Sequence, residues 1–380
     1  MIYFDNAATT MAKPQQVVDA VCAALTSFGG VGRGVHEASF NAGMAVFEAR
    51  AAVASLLGVE SSERVAFAAN ATAALNVAIA GLLPDDGVAL TTAASHNSVL
   101  RPLFKARDER GAEVRIVGHD ERGALDYGAL YNMLDGVDVV VVTHASNLTG
   151  DVFDAGAIAR AAHDAGARVI LDAAQTAGTV PFTMPGVEAD VVCFTGHKGL
   201  LGPQGTGGLA VAEGIDVPPL LEGGSGTMSF LERHPRFMPE ALEAGTPNAH
   251  GLAGLAAGVE YLMERGVDTV FQHEVSLANL LTAGLAEVPG VRVHGGSEKE
   301  RCGIVAFNVG EVDSGVIADR LASEHGICTR AGAHCAPLMH KALGTEHQGA
   351  VRASFGPFNT EEEVRACVAA VRAIASEELA

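Results

Sequence analysis

Between residues 64 and 211 the chain alternates short, β-branched apolar runs with longer segments of helical period. The runs fall at 65–68, 88–90, 114–117, 137–142, 169–171 and 191–194. Helical patterns at 72–82, 99–110, 126–134 and 154–165 separate them. Strands joined by helical crossovers run parallel, because each crossover carries the chain back to the same end of the sheet. Apolar runs without polar alternation are strands covered on both faces. The expected fold class is therefore α/β, a mostly parallel sheet with helices on both faces. Such sheets place their chemistry just beyond the carboxyl ends of the strands, so the residues that follow each run are the first candidates.

Two of those ends stand out. The run Val191-Val192-Cys193-Phe194 leads into Thr195-Gly196-His197-Lys198-Gly199, and Val169-Ile170-Leu171 leads into Asp172-Ala173-Ala174-Gln175. Taken alone, Lys198 reads as a solvated loop lysine. A lysine desolvated at a strand end is instead a Schiff-base nucleophile. An aspartate at the neighbouring strand end completes what pyridoxal phosphate requires: the carboxylate keeps the ring nitrogen protonated and the lysine carries the aldehyde.

Asp172-Ala173-Ala174-Gln175 together with Thr195-Gly196-His197-Lys198 resembles the class V aminotransferase family of pyridoxal-phosphate enzymes, fold type I, and within it the cysteine desulfurases and selenocysteine lyases. The resemblance extends from Asp5-Asn6-Ala7-Ala8-Thr9-Thr10 to Arg352-Ala353-Ser354-Phe355. It implies a large cofactor-binding domain at 15–250, an N-terminal arm at 1–14 and a smaller C-terminal α+β domain at 251–380. Residues 207–211 would add one antiparallel strand to the large sheet.

The resemblance also assigns roles. Asp172 faces the pyridine nitrogen, Gln175 reaches the phenolic oxygen, and His96 stacks on the ring and moves protons. On its own residues, Asn70-Ala71-Thr72 sits between a strand and a helix, where Ala71 and Thr72 present amides and a hydroxyl to a phosphate. An ordinary helix cap uses the same geometry. Thr195 and His197 complete the phosphate cup in the family, and the partner subunit of a homodimer adds a hydroxyl from a glycine-rich loop, here Ser225 in Gly224-Ser225-Gly226-Thr227. Asn147 lies beside the incoming amino acid. Arg352 resembles the arginine that grips the substrate α-carboxylate, for which a planar fork is suited, and Arg330 is placed with it on the substrate.

The segment Arg330-Ala331-Gly332-Ala333-His334-Cys335-Ala336 decides between reactions. It resembles the R-x-G-H-H-C-A stretch of sulfur-mobilising desulfurases, with Cys335 as the nucleophile. An isolated cysteine is ordinarily a buried hydrophobe, whereas proximity to Arg330 and His334 favours the thiolate. Ala333 departs from the family by replacing the first of the paired histidines. The expectation is conversion of L-cysteine to L-alanine, with sulfur held as a persulfide on Cys335 and passed to an acceptor such as an iron–sulfur scaffold or sulfur-relay protein. Rival readings are a selenocysteine lyase acting on L-selenocysteine, a transamination or racemisation that does not need Cys335, and a cofactor-bound docking protein.

Composition sets the outer bounds. The 380 residues suffice for two unequal domains, and a net charge of −20 argues against nucleic acid or an anionic membrane as partner. No apolar run of membrane-spanning length and no signal-peptide pattern ahead of Asp5 is read, so the expected location is the cytoplasm. The six cysteines lack the density of a secreted disulfide scaffold. Gly29-Gly30-Val31-Gly32-Arg33-Gly34 has neither dinucleotide nor Walker spacing. Cys328, Cys335, His334, His340 and His347 match no common zinc spacing, and no metal is expected. Further helices are expected at 14–28, 44–57, 247–264, 269–287, 314–325 and 360–377, with strands at 291–293 and 304–309.

Overall fold

The computed structural model describes residues 1–380 except Arg33, Ser297 and Lys299, so part of the glycine-rich segment at 29–34 lies outside the described residues. Its centre is a seven-stranded sheet in the order Val65–Ala68, Gly207–Val211, Val191–Thr195, Arg168–Asp172, Val139–Thr143, Val88–Thr92, Glu113–Val117. Six strands run the same way, and Gly207–Val211 is antiparallel to both of its neighbours.

The side chains explain why the strand runs look uniformly apolar. Val140, Val142, Leu171, Val192 and Phe194 join a core on one face. Val139, Val141, Ile170, Val191 and Cys193 join a core on the other. Alternate residues point to opposite faces, and both faces are covered. The helices Glu37–Leu57 and Ala249–Arg265 cover the first face, and Ala71–Leu82 and Asn97–Arg110 cover the second. Leu255 is fully buried on the first face; trimming such a residue to alanine costs about 2–5 kcal/mol.

The C-terminal part has its own core. An antiparallel sheet places Ile304–Val309 between Val291–His294 and Val351–Ser354. The helices Val267–Ala286, Ser314–His325 and Glu361–Glu378 pack on it through residues such as Leu277, Leu281, Leu321 and Val371. The expected boundary at 250 falls at the start of the Ala249–Arg265 helix, which gives Leu252, Leu255, Val259 and Leu262 to the large core. Gly266, with a φ of 83°, ends that helix before Val267–Ala286 begins; Val270 still joins the large core, and from Leu277 the second helix serves the smaller one. The first residues of the arm belong with the smaller body. Ile2–Tyr3 pairs in parallel with Ile327–Cys328, and Phe4 is buried against Phe355 with ring centroids 4.9 Å apart.

Three local expectations change. The second helix begins at Glu37, ahead of the expected residue 44, because the His36 ring accepts from the Ser39 amide and caps it. It ends as expected at Gly58, in the left-handed region at φ 67°. The helix Pro337–Leu343 was not expected; its seven residues are too few to show a period. Among the described residues, the helix Glu37–Leu57 is long and apolar enough to cross a membrane, contrary to the reading of runs above. Ala42, Val46, Ala49, Val53 and Leu57 fix it into the large core.

Candidate active site

Three adjacent strands, Val139–Thr143, Arg168–Asp172 and Val191–Thr195, end on the same edge of the sheet. Asp172 is the last residue of its strand, and its carboxylate accepts the Ala174 amide at 3.0 Å. Burial pushes this carboxyl upward, while the Ala174 N–H and Lys198 pull it back. Lys198 follows the next strand on a tight turn and is half-buried as a residue. Desolvation, with Arg352 second, brings its amine down to about 8, against the pull of Asp172. A lysine in that range is neutral in roughly a tenth of molecules at pH 7, far more than an ordinary lysine, as a nucleophile or base requires.

One cavity gathers Ala71, Thr72, His96, Asn147, Asp172, Gln175, Thr195, His197 and Lys198. Ala71 and Thr72 open the helix Ala71–Leu82, and the Asn70 side chain caps it through the Ala73 amide at 3.0 Å. Gly207 lets the antiparallel strand pass close behind this turn: a Cβ there would lie 2.7 Å from the Asn70 Cα. Thr195 Oγ1 and His197 Nδ1 are buried and, among the described residues, have no hydrogen-bond partner. Thr72 Oγ1 meets Ser98 Oγ at 2.7 Å. His96 Nδ1 accepts the Ser98 amide at 3.0 Å, and burial followed by Lys198 lowers its imidazole to about 4. Gln175 Nε2 donates to the Ala7 carbonyl at 3.2 Å.

A device absent from the sequence reading holds the lysine turn. The His197 carbonyl, immediately before Lys198, accepts from the Thr10 amide at 3.0 Å, Thr9 Oγ1 at 3.2 Å, Thr10 Oγ1 at 3.1 Å and Lys13 Nζ at 3.3 Å. Lys13 also donates to Thr10 Oγ1, and burial lowers its amine to about 8. The arm thus fixes the peptide that aims Lys198 into the cavity. The only sequence signal was the Asp5-Asn6-Ala7-Ala8-Thr9-Thr10 stretch, which carries no partner information by itself.

Arg352, Arg330 and Cys335 belong to the smaller body and are not among the residues lining this cavity; Arg352 and the cysteine loop reach it through Asn147. Arg352 is 2% exposed; its Nη1 donates to the Asn147 carbonyl at 2.8 Å and its Nη2 to Asp5 Oδ1 at 3.1 Å. Asp5, which sequence reasoning had not placed in the site, also lies 3.9 Å from Arg330 Nη1. Arg352 Nε is buried without a partner among the described residues. Asn147 Nδ2 donates to the His334 carbonyl at 2.7 Å and so ties the sheet edge to the cysteine loop. Cys335 is exposed, and its carbonyl accepts the Asn97 amide at 2.9 Å, next to His96 of the cavity. Ser225 is not brought to this cavity by its own chain. It lines a separate surface concavity with Gly30, Arg50 and Arg233. Among the described residues no group of three potential metal ligands is assembled.

The chain matches the family model described as aminotransferase class V over residues 2–367. A protein of Haloferax volcanii named cysteine desulfurase is 34% identical over 385 residues, covering 98% of this chain and 89% of that protein. A solved apo structure of a cysteine desulfurase from Thermococcus onnurineus superposes with a TM-score of 0.93 at 34% identity, covering 99% of this chain and 95% of the other. An Escherichia coli cysteine desulfurase, solved in an S-sulfonic acid form, superposes with a TM-score of 0.88 at 30% identity, covering 99% and 94%.

Proposed function

The chain belongs to the class V aminotransferase family, and from that premise we propose that it is a cysteine desulfurase dependent on pyridoxal phosphate. The observation that carries the reading is the meeting of a desolvated lysine and a buried aspartate with an exposed cysteine and a buried arginine around one sheet edge.

The residues present fit the coenzyme. Asp172 offers a buried carboxylate with acceptor capacity to spare, suited to a protonated ring nitrogen. The amides opening the helix Ala71–Leu82, with Thr72 and the unpartnered Thr195 Oγ1 and His197 Nδ1, suit a phosphate. Gln175 and His96 line the same cavity, and Ser225 of a second copy is assigned to complete the cup of a homodimer. When bound, pyridoxal phosphate supplies an electron sink for the substrate α-carbon.

Lys198 removes the α-proton of L-cysteine as its neutral amine and returns a proton to the substrate. Arg352 orients the α-carboxylate with its fork, Arg330 adds charge at the mouth, and Asn147 holds Arg352 and the His334 carbonyl in place. The Cys335 thiolate attacks the substrate sulfur. An S–S bond forms as the Cβ–S bond breaks, Cβ takes up a proton, and L-alanine leaves with a persulfide on Cys335. An acceptor protein then takes the sulfur, serving iron–sulfur assembly or a related sulfur relay. All six cysteines are free, which supports a reducing, cytoplasmic setting.

Incubation of the loaded protein with L-cysteine and a reductant tests the reading. Sulfide and alanine in equal amounts are expected. Pyruvate with ammonia, or turnover of L-selenocysteine alone, would replace it with another lyase.

A further inference from the structure

His334 and Cys335 both occupy the left-handed backbone region, with φ of 51° and 56°. Neither has the freedom of glycine, so this conformation persists only where the surroundings over-determine it. The backbone is pinned on two sides: Asn147 Nδ2 donates to the His334 carbonyl at 2.7 Å, and the Asn97 amide to the Cys335 carbonyl at 2.9 Å. The His334 side chain has two further contacts: its Nε2 lies 3.4 Å from the Arg330 carbonyl, and its ring is stacked. The His334 ring lies against the ring of His340, with centroids 5.8 Å apart and planes 10° from parallel. His340 is itself buried and locked through Nδ1 to Thr345 Oγ1 at 2.7 Å. Burial lowers both imidazoles, His334 to about 3 with Arg352 as second cause, so two neutral rings meet.

We infer that His340, held by Thr345, is a positioning residue for the Cys335 thiol, acting through the ring of His334. This rests on the cysteine-desulfurase reading. Where the resemblance would place a second histidine this loop has Ala333, and the histidine that packs on His334 is the buried His340 of the helix Pro337–Leu343. The link is steric and directional. A fixed His334 ring fixes its own peptide, that peptide sets the next Cα, and the thiol follows from that Cα. On this account His340 acts on the sulfur only through His334.

The test uses His340→Ala, His340→Phe and Thr345→Val, each loaded with pyridoxal phosphate and also as apoprotein. In loaded His340→Ala, kcat for alanine release should fall by up to about 100-fold, the scale of a 1 Å misplacement of a reacting group, with the KM for L-cysteine and coenzyme affinity unchanged. His340→Phe, which keeps a flat ring, should recover most of that loss, and Thr345→Val should fall between. In the apoprotein, the rate of Cys335 alkylation by iodoacetamide should change in His340→Ala and return towards the parent value in His340→Phe. Equal kcat and alkylation in all three variants would overturn the proposal. So would a rise in KM together with weaker coenzyme binding and no rescue by phenylalanine, which marks a general packing role. Alkylation is read without substrate or coenzyme, so this outcome is distinct from failure of the desulfurase reading itself. If His340→Ala does not fold, His340→Phe and Thr345→Val still decide through the same two readouts.

Discussion

Replacing Arg352 with lysine separates charge from geometry at the substrate wall. The arginine uses its fork in both directions, Nη1 to the Asn147 carbonyl at 2.8 Å and Nη2 to Asp5 at 3.1 Å, in a place only 2% exposed. A lysine ammonium keeps the positive charge that Asp5 and a substrate carboxylate both seek, but as a single point it cannot satisfy Asn147, Asp5 and a carboxylate with planar pairs. The loss amounts to one charge-assisted hydrogen bond, about 1.5–3 kcal/mol. Converted to rate, that is roughly a 10- to 150-fold fall in kcat/KM. The α-carboxylate does not react, so the fall should appear in KM with kcat little changed. Initial rates of alanine formation across a range of L-cysteine give the split, coenzyme titration followed by absorbance shows whether the cofactor side is intact, and thermal unfolding confirms the fold. An unchanged kcat/KM removes Arg352 from the substrate site. A collapse of kcat at constant KM would mean that the arginine acts on the reacting atoms and that the carboxylate argument is wrong.

Cys335→Ser should retain coenzyme absorbance and L-cysteine binding but release no sulfide and form no persulfide detectable by mass spectrometry, since a hydroxyl ionises far less readily than a thiol; full retention of sulfide release would place the nucleophile elsewhere. Mixing Lys198→Ala and Ser225→Ala protomers should restore part of the activity that each lacks, because one site of the mixed dimer carries neither change; no recovery after demonstrated exchange would show that Ser225 does not serve a neighbouring site. Glu274 is buried, and burial pushes its carboxyl well above 4.5. Its folded-state value exceeds its unfolded one, so the stability it contributes is full below the unfolded value and is lost as pH rises towards the folded value. Glu274→Gln keeps the shape without the titration, so urea midpoints should fall with rising pH above 4.5 more steeply in the parent than in the variant; parallel curves would refute the buried-acid account.

What the sequence determined by itself was local in origin. Period and β-branching marked six of the seven strands of the large sheet, because a strand buried on both faces must be apolar throughout, as Val139 to Val142 are. Lys198 and Asp172 were legible because Asp172 directly follows such a run and Lys198 lies four residues past the next one, and neighbouring strand ends are neighbours in space. The cysteine loop was legible only through its resemblance to a family. Tertiary structure alone decided the contacts between residues far apart in the chain. Asp5 meets Arg352 across 347 positions, and Thr10 meets the His197 carbonyl across 187. Threonines and a lysine in an aperiodic arm carry no local signal of their partners. Those pairings depend on how the smaller core, which takes in Phe4, seats the arm across the edge of the larger sheet. The His334–His340 stack has the same origin: two residues six positions apart come into ring contact only once a left-handed turn and a short helix fold one ring over the other.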